Sequence, residues 1–88
     1  MKKLTITVYQ DPGHAWGKVE RSLIDFLGIA NKISHYSYQR KDHVYLEEDC
    51  DLRLISRELI ERSIDVKFVE KFSNKSSKIR SYNRYIAV

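Results

Sequence analysis

The C-terminal segment, residues 71–88, combines basic and aromatic side chains and contains no acidic side chain. Cations of this kind neutralise phosphates, and tyrosine rings can stack on unpaired bases. The same segment would suit the acidic surface of another protein, or it could be a solvated end that aids solubility. The residues predicted here to contact a partner are Lys75, Lys78, Arg80, Tyr82, Arg84 and Tyr85.

The middle of the chain is aromatic, with Tyr36, Tyr38 and Tyr45 beside His35 and His43. Tyrosines on a sheet face can stack on RNA bases or form a protein interface. The Gly-Phe/Tyr-Gly-Phe run of single-strand RNA-binding modules is missing, however. The three tyrosines are predicted to bind a partner, with ordinary packing across a pair of strands as the structural alternative.

An acidic stretch, formed by Glu47, Glu48, Asp49 and Asp51, follows these tyrosines. Clustered oxygens bind hard cations, but the spaced acids and central glycine of a calcium loop are absent. Carboxylates at a helix start are also explained by capping and by the helix dipole. A third interpretation is a docking surface that imitates phosphates. Cys50 lies within the stretch, where negative neighbours should raise the pKa of its thiol and suppress nucleophilic catalysis.

His14 and Lys18 lie in the segment DPGHAWGK, which is predicted to be a loop leading into the first helix. At a helix N-terminus they could hold an anion such as phosphate. The glycines lack the spacing of the known phosphate-binding fingerprints, and Trp16 could simply cover the sheet edge. The histidines are too scattered for a metal cluster, so the sequence predicts no catalytic residue, no metal site and no cofactor.

Chain length and net charge limit the number of domains and the kind of partner. The chain has 88 residues, so residues 1–88 are predicted to form one domain with little room for a deep cofactor cleft. The net charge is +4, and residues 61–88 hold seven basic and three acidic side chains. Such asymmetry favours oriented docking. The single cysteine, the lack of a signal peptide and the lack of a membrane-length run predict a soluble intracellular protein with no membrane partner.

Apolar periodicity predicts the elements that must position these residues. Strands are expected at 4–9, 33–39, 43–47 and 64–68, the middle two as a hairpin. One helix is expected from Lys18 to a stop at Gly28, and a second from the acidic stretch to Ser63. The order β-α-β-β-α-β predicts an α+β domain with a four-stranded sheet and two helices on one face, as in the ferredoxin-like arrangement. The segment 73–88 is predicted to be a basic tail that is locally loose at SNKSSK. Ile79 and Ile86 favour its partial docking, and the sequence leaves open whether the tail folds onto the domain.

Several stretches together resemble a group of small, mostly uncharacterised proteins encoded by bacteriophages, prophages and plasmids. These stretches are TVYQDPGHAWGKV, LGIANKIS, SYQR, VYLEEDCD and SSKIRSYNRY. The resemblance implies a bacterial host cytoplasm and a non-enzymatic role. Small accessory proteins of mobile elements often bind and block host machinery, including CRISPR effectors and restriction nucleases.

The leading hypothesis is therefore an inhibitor that binds a host protein complex, such as a CRISPR effector. Its contact surface would be the hairpin tyrosines with the basic tail, or else the acidic stretch. The alternative is a small DNA- or RNA-binding accessory protein that uses the tail. An enzyme, such as a nuclease using the acidic stretch and His43, ranks third. The protein is expected to be a monomer, or a homodimer paired through a free sheet edge.

Overall fold

A computed structural model describes residues 3–87, which form one α+β unit built on a mixed sheet of six strands. The strands are β1 (Lys3–Gln10), β2 (Ala15–Glu20), β3 (Tyr38–Arg40), β4 (His43–Glu47), β5 (Asp65–Phe72) and β6 (Asn83–Arg84). The helices are α1 (Arg21–Leu27) and α2 (Asp51–Glu61), and two 3₁₀ turns span Ala30–Lys32 and Lys78–Ser81. The strand order is β5-β1-β2-β4-β3-β6, with β5 parallel to β1 and the other neighbours antiparallel.

The α+β class is confirmed, but the predicted four strands and β-α-β-β-α-β order are wrong. The first error is β2, which occupies residues that were assigned to a loop and to the start of a helix. Within β2, Ala15, Gly17 and Val19 are buried on the face that carries Ile6 and Val8, because Val8 pairs with Gly17. Glycine and alanine make a weak strand signal, so the apolar spacing further along the chain placed the helix start too early.

The second error is the missing strand β6. Residues 83–84 form β6 by pairing with β3, so part of the segment 73–88 is docked on the domain, an outcome that the sequence left open. The predicted strand 33–39 is also too long, since β3 begins only at Tyr38. The predicted hairpin of β3 and β4 is confirmed, as is the helix stop at Gly28, which adopts a left-handed φ of 70°.

One face of the sheet carries the main hydrophobic core, to which both α1 and α2 contribute. Its largest fully buried side chains are Ile6, Ile24, Ile29, Val44, Leu46, Ile55 and Leu59. Gly17 lies against Leu52 of α2 and Ile6 of β1. A Cβ added there would lie 2.6 Å from Leu52 Cδ1 and 3.3 Å from Ile6 Cγ2. A larger residue at this position would therefore require the side chain of Leu52 or Ile6 to move.

The opposite face is covered by the C-terminal segment. Here Trp16, Tyr38, Tyr45 and Ile79 form a second buried cluster, which we call the aromatic layer. Ile79 comes from the second 3₁₀ turn and is 3% exposed, so that turn lies over the sheet. The fold therefore has the helices on one side of the sheet and the second 3₁₀ turn of the tail on the other, while Tyr85 of the tail joins the main core.

Candidate functional site

Strand register aligns basic and aromatic side chains across the tail-covered face. Lys18 on β2 pairs with Tyr45 on β4, Tyr45 pairs with Tyr38 on β3, and Tyr38 pairs with Arg84 on β6. Directly paired residues project to the same face of a sheet. Lys18 and Arg84 therefore flank two buried tyrosines on one surface, about 14 Å apart at the usual strand spacing.

Arginine side chains cover the rings of this face. The Arg84 guanidinium carbon lies 4.7 Å from the centre of the Tyr38 ring, and that of Arg40 lies 5.1 Å from the Tyr82 ring. Arg84 also donates a hydrogen bond of 3.2 Å to the His35 carbonyl, and Arg40 donates one of 3.2 Å to the Tyr82 hydroxyl. These contacts orient both guanidinium groups, each of which retains further N–H donors.

Asp11 anchors the tail at the edge of the aromatic layer. Its carboxylate accepts hydrogen bonds from Arg80 Nε at 2.7 Å, Arg80 Nη2 at 2.9 Å and the Ser77 amide at 2.8 Å. The amides of Gly13 and His14 donate to it as well, each at 2.9 Å. The Arg80 bond and then the Ser77 amide hold the pKa of Asp11 far below its usual range.

This anchor gives Arg80 a structural role. Its guanidinium lies 5.2 Å from the Trp16 ring centre and pairs with Asp11, whose side chain is only 1% exposed. The charge of Arg80 is thus balanced within the fold. Sequence reasoning missed Asp11 as a partner because it lies 69 positions from Arg80, although its place before Pro12-Gly13 marked it as a turn residue.

The remaining cations of the tail-covered face and of the tail itself define what we call the basic face. Lys18, Arg40 and Arg84 lie on strands, and Lys75 and Lys78 lie in the tail. Lys18 is half-buried and the other four are exposed. Within residues 3–87 the ion pairs are Arg62–Glu58 and Arg80–Asp11, so no member of the basic face has a carboxylate partner there. Arg40 carried no signal in the sequence beyond its place in the hairpin turn.

The predicted tyrosines separate into buried and exposed groups. Tyr36 is 60% exposed, whereas Tyr38 is 9% and Tyr45 is 7% exposed beneath the tail. Tyr82 is half-buried against Tyr45, with 5.1 Å between ring centres. Tyr85 is buried in the main core and its hydroxyl donates a 2.7 Å hydrogen bond to the Ala30 carbonyl. Burial leaves Tyr38, Tyr45 and Tyr85 no free ring face for stacking on a base.

The acidic stretch is also divided. Asp51 is buried and accepts hydrogen bonds from Ser34 Oγ at 2.7 Å and from Ser37 Oγ at 2.5 Å. Glu47 is half-buried, and its carboxylate accepts hydrogen bonds from the amides of Asp49 at 2.9 Å and Cys50 at 3.0 Å. Two of the four predicted carboxylates thus hold the start of α2 and the segment before β3. The other two, Glu48 and Asp49, are exposed.

The thiol of Cys50 lies within this acidic environment. Partial desolvation, followed by the negative charges of Glu47 and Asp51, raises the pKa of Cys50. This is the direction expected from its neighbours in the sequence. Among residues 3–87, no group of three or more His, Cys, Asp or Glu side chains is placed to hold a metal ion.

The predicted position of His14 and Lys18 at a helix start is wrong. His14 lies in the β1–β2 loop with its ring 6.0 Å from that of Trp16, and Lys18 lies within β2. Because α1 begins only at Arg21, neither residue stands at a helix N-terminus. Lys18 belongs instead to the basic face.

A pocket of about 420 Å³ lies where the basic face meets the acidic stretch. Its lining includes two cations and two carboxylates together with one exposed tyrosine: Arg80, Arg84, Glu47, Asp49 and Tyr36. Its surface therefore offers both charges and an exposed aromatic ring.

Comparison with known proteins gives no relative: no protein-family model, curated protein or solved structure matches the chain. The resemblance to proteins of mobile elements stays a prediction. No helix in the described part of the chain is long and apolar enough to cross a membrane.

Proposed function

We propose that this protein is a binding module that docks nucleic acid on its basic face. The observation that carries the proposal is that Arg40 and Arg84 are held in place but are not neutralised by a carboxylate. Both are fixed on aromatic rings by stacking and hydrogen bonds, and neither has a carboxylate partner among the described residues. A guanidinium held in this way loses little entropy when it binds phosphate oxygens.

The burial of the tyrosines specifies the kind of binding. Stacking on Tyr38, Tyr45 or Tyr85 would require the tail to leave the sheet, and the exposed Tyr36 lines a pocket with Glu47 and Asp49, which repel phosphates. We therefore expect most contacts to be made to the phosphate backbone. Backbone contacts carry no sequence information, and we therefore expect affinity to be almost independent of base sequence. We expect it to fall steeply with salt, since each phosphate neutralised contributes a slope of about 0.7–0.9 in log K against log salt.

Fluorescence anisotropy with labelled single- and double-stranded DNA across a salt series tests the proposal. Lys75→Ala with Lys78→Ala should weaken binding to all sequences alike and reduce the salt slope by about 1.4–1.8. The matched control is Arg53→Ala with Arg57→Ala, which removes two exposed cations from α2 on the helix side of the sheet. Failure to bind at low salt, or an equal loss in the control, would refute the proposal.

A second candidate is the inhibitor of a host defence complex, such as a CRISPR effector, acting in the cytoplasm of a bacterial host. The observation that favours it is the exposed Tyr36, which lines the pocket of mixed charge. Glu47 and Asp49 in that pocket would repel phosphates, so a protein surface suits the pocket better than nucleic acid does. Exposed tyrosines flanked by charges of both signs are typical of protein interfaces.

This candidate requires a protein that remains bound after nuclease treatment and whose activity falls when the purified chain is added. Tyr36→Ala should abolish both effects. Phe26→Ala is the matched control, since Phe26 is also an exposed aromatic residue but lies on α1. Loss of every bound protein on nuclease treatment would support nucleic-acid binding instead.

A further inference from the structure

We propose that two copies of this chain pair through β5 and join their sheets into one continuous sheet. The inference is independent of the proposed function, because it concerns the edge of the sheet farthest from β6. β5 is an edge strand of eight residues, most of them exposed. Long unprotected edges of this kind are templates for pairing with another strand, whereas the other edge, β6, has only two residues.

The backbone groups available at this edge follow from the pairing of β5 with β1. The Ser73 amide donates to the Gln10 carbonyl at 2.9 Å, so Ser73 directs its backbone groups toward β1. In a parallel pair, alternate residues direct their N–H and C=O groups to the same side. Val66, Phe68 and Glu70 therefore direct theirs outward, where a second strand can bind them.

Among the registers that pair most of β5 with its copy, charge favours one. A two-fold axis normal to the sheet makes the strands antiparallel and pairs residues of the same face. If the two-fold axis passes through Lys67, Lys67 faces its own copy. If the axis passes through Val69, Lys67 faces Lys71 of the second copy, so both registers place like charges together. Centring it on Phe68 instead pairs Asp65 with Lys71 of the second copy, twice, at non-hydrogen-bonded positions where side chains come closest.

The same register satisfies the outward backbone groups. Phe68 pairs with its own copy, and Val66 pairs with Glu70 at both ends of the strand. These three pairs are hydrogen-bonded positions, and each exchanges two bonds, giving about six hydrogen bonds across the dyad. One choice of register thus meets the requirements of both the charges and the backbone.

Apolar surface on the helix side of β5 adds to the contact. Phe68 is 44% exposed and pairs with buried Ile6 on β1, so it projects to the face that carries α2. It lines a groove of about 780 Å³ together with Leu52 and the exposed Ile60. Placing two copies of Phe68 side by side at the dyad removes part of this surface from water.

Light scattering coupled to size exclusion on the full chain tests the proposal. The wild-type protein should show twice the 10.5 kDa chain mass at a concentration of about 100 µM, well above the Kd of a modest dimer. Asp65→Lys and Lys71→Asp should each give the monomer mass, because each change opposes like charges twice. The combined variant, Asp65→Lys with Lys71→Asp, should restore the doubled mass.

Restoration by the charge swap separates pairing from a general effect on folding, since two structural defects would add rather than cancel. Lys75→Asp, which makes the same charge change on the tail, is the control and should leave the mass doubled. Even a modest dimer with a Kd of about 10 µM would be mostly assembled at about 100 µM. A monomer mass for the wild-type protein at that concentration would therefore overturn the proposal. A doubled mass in both single variants would overturn it as well.

Discussion

Replacement of Ile79 by alanine should detach the tail from the sheet at a measurable cost in stability. Ile79 is 3% exposed within the aromatic layer and is the one aliphatic member of that cluster of buried residues. Removal of a buried isoleucine side chain to alanine costs about 2–5 kcal/mol. We expect the lower part of this range, about 2–3 kcal/mol, because the site lies under a surface turn that is free to relax.

For a domain of this size the change lowers the melting temperature by about 10–20 °C. With a urea m-value near 1 kcal/mol/M, it lowers the unfolding midpoint by about 2–3 M. Trypsin should also cleave after Lys78 and Arg80 faster, since both bonds lie in the detached segment. The matched control is Ile86→Ala in the same segment, where the side chain is 61% exposed and the expected change is within about 0.5 kcal/mol. Equal midpoints and cleavage rates for both variants would refute tail docking.

Three further predictions concern single contacts. Because the folded pKa of Asp11 is lowered, its ionised form stabilises the fold above about pH 4 and that contribution is lost as the pH falls further. Asp11→Asn should therefore lower the urea midpoint at pH 7 and flatten its decline between pH 4 and 2, and an unchanged decline would contradict the anchor. Gly17→Ala should cost about 1–3 kcal/mol by overpacking against Leu52, and Leu52→Val in the same chain should recover part of that loss in a double-mutant cycle. Tyr85→Phe removes the hydrogen bond to a carbonyl of the first 3₁₀ turn and should cost about 1 kcal/mol in urea unfolding; no change would mean that water replaces this bond.

The docked tail links the stability of the fold to the proposed function. Arg84 reaches the basic face only because β6 pairs with β3, and Lys78 lies in the turn that Ile79 holds on the sheet. Variants that release the tail should therefore weaken nucleic-acid binding as well as stability. A released tail could also expose Tyr38 and Tyr45, which would change the dependence on base sequence from weak to measurable.

The sequence by itself determined the elements that carry their own pattern. Alternation in residues 4–9, helical spacing of Leu52, Ile55 and Leu59, and the glycine stop at Gly28 each appear in the structure near the predicted positions. The concentration of positive charge toward the C-terminus is likewise a property of composition alone. These features depend on interactions between residues a few positions apart, which a linear pattern records.

Tertiary structure decided the remaining features, because they depend on contacts between distant residues. β2 forms by pairing with β1 and β4, and β6 forms by pairing with β3. The sequence could not show which tyrosines the tail covers. Nor could it show that Arg80 forms an ion pair with Asp11, or that Asp51 accepts hydrogen bonds from two serines. Charged side chains that are buried or paired stabilise the fold, whereas exposed and unpaired ones are available to bind a partner. Which side chains are buried or paired is determined only by the tertiary structure.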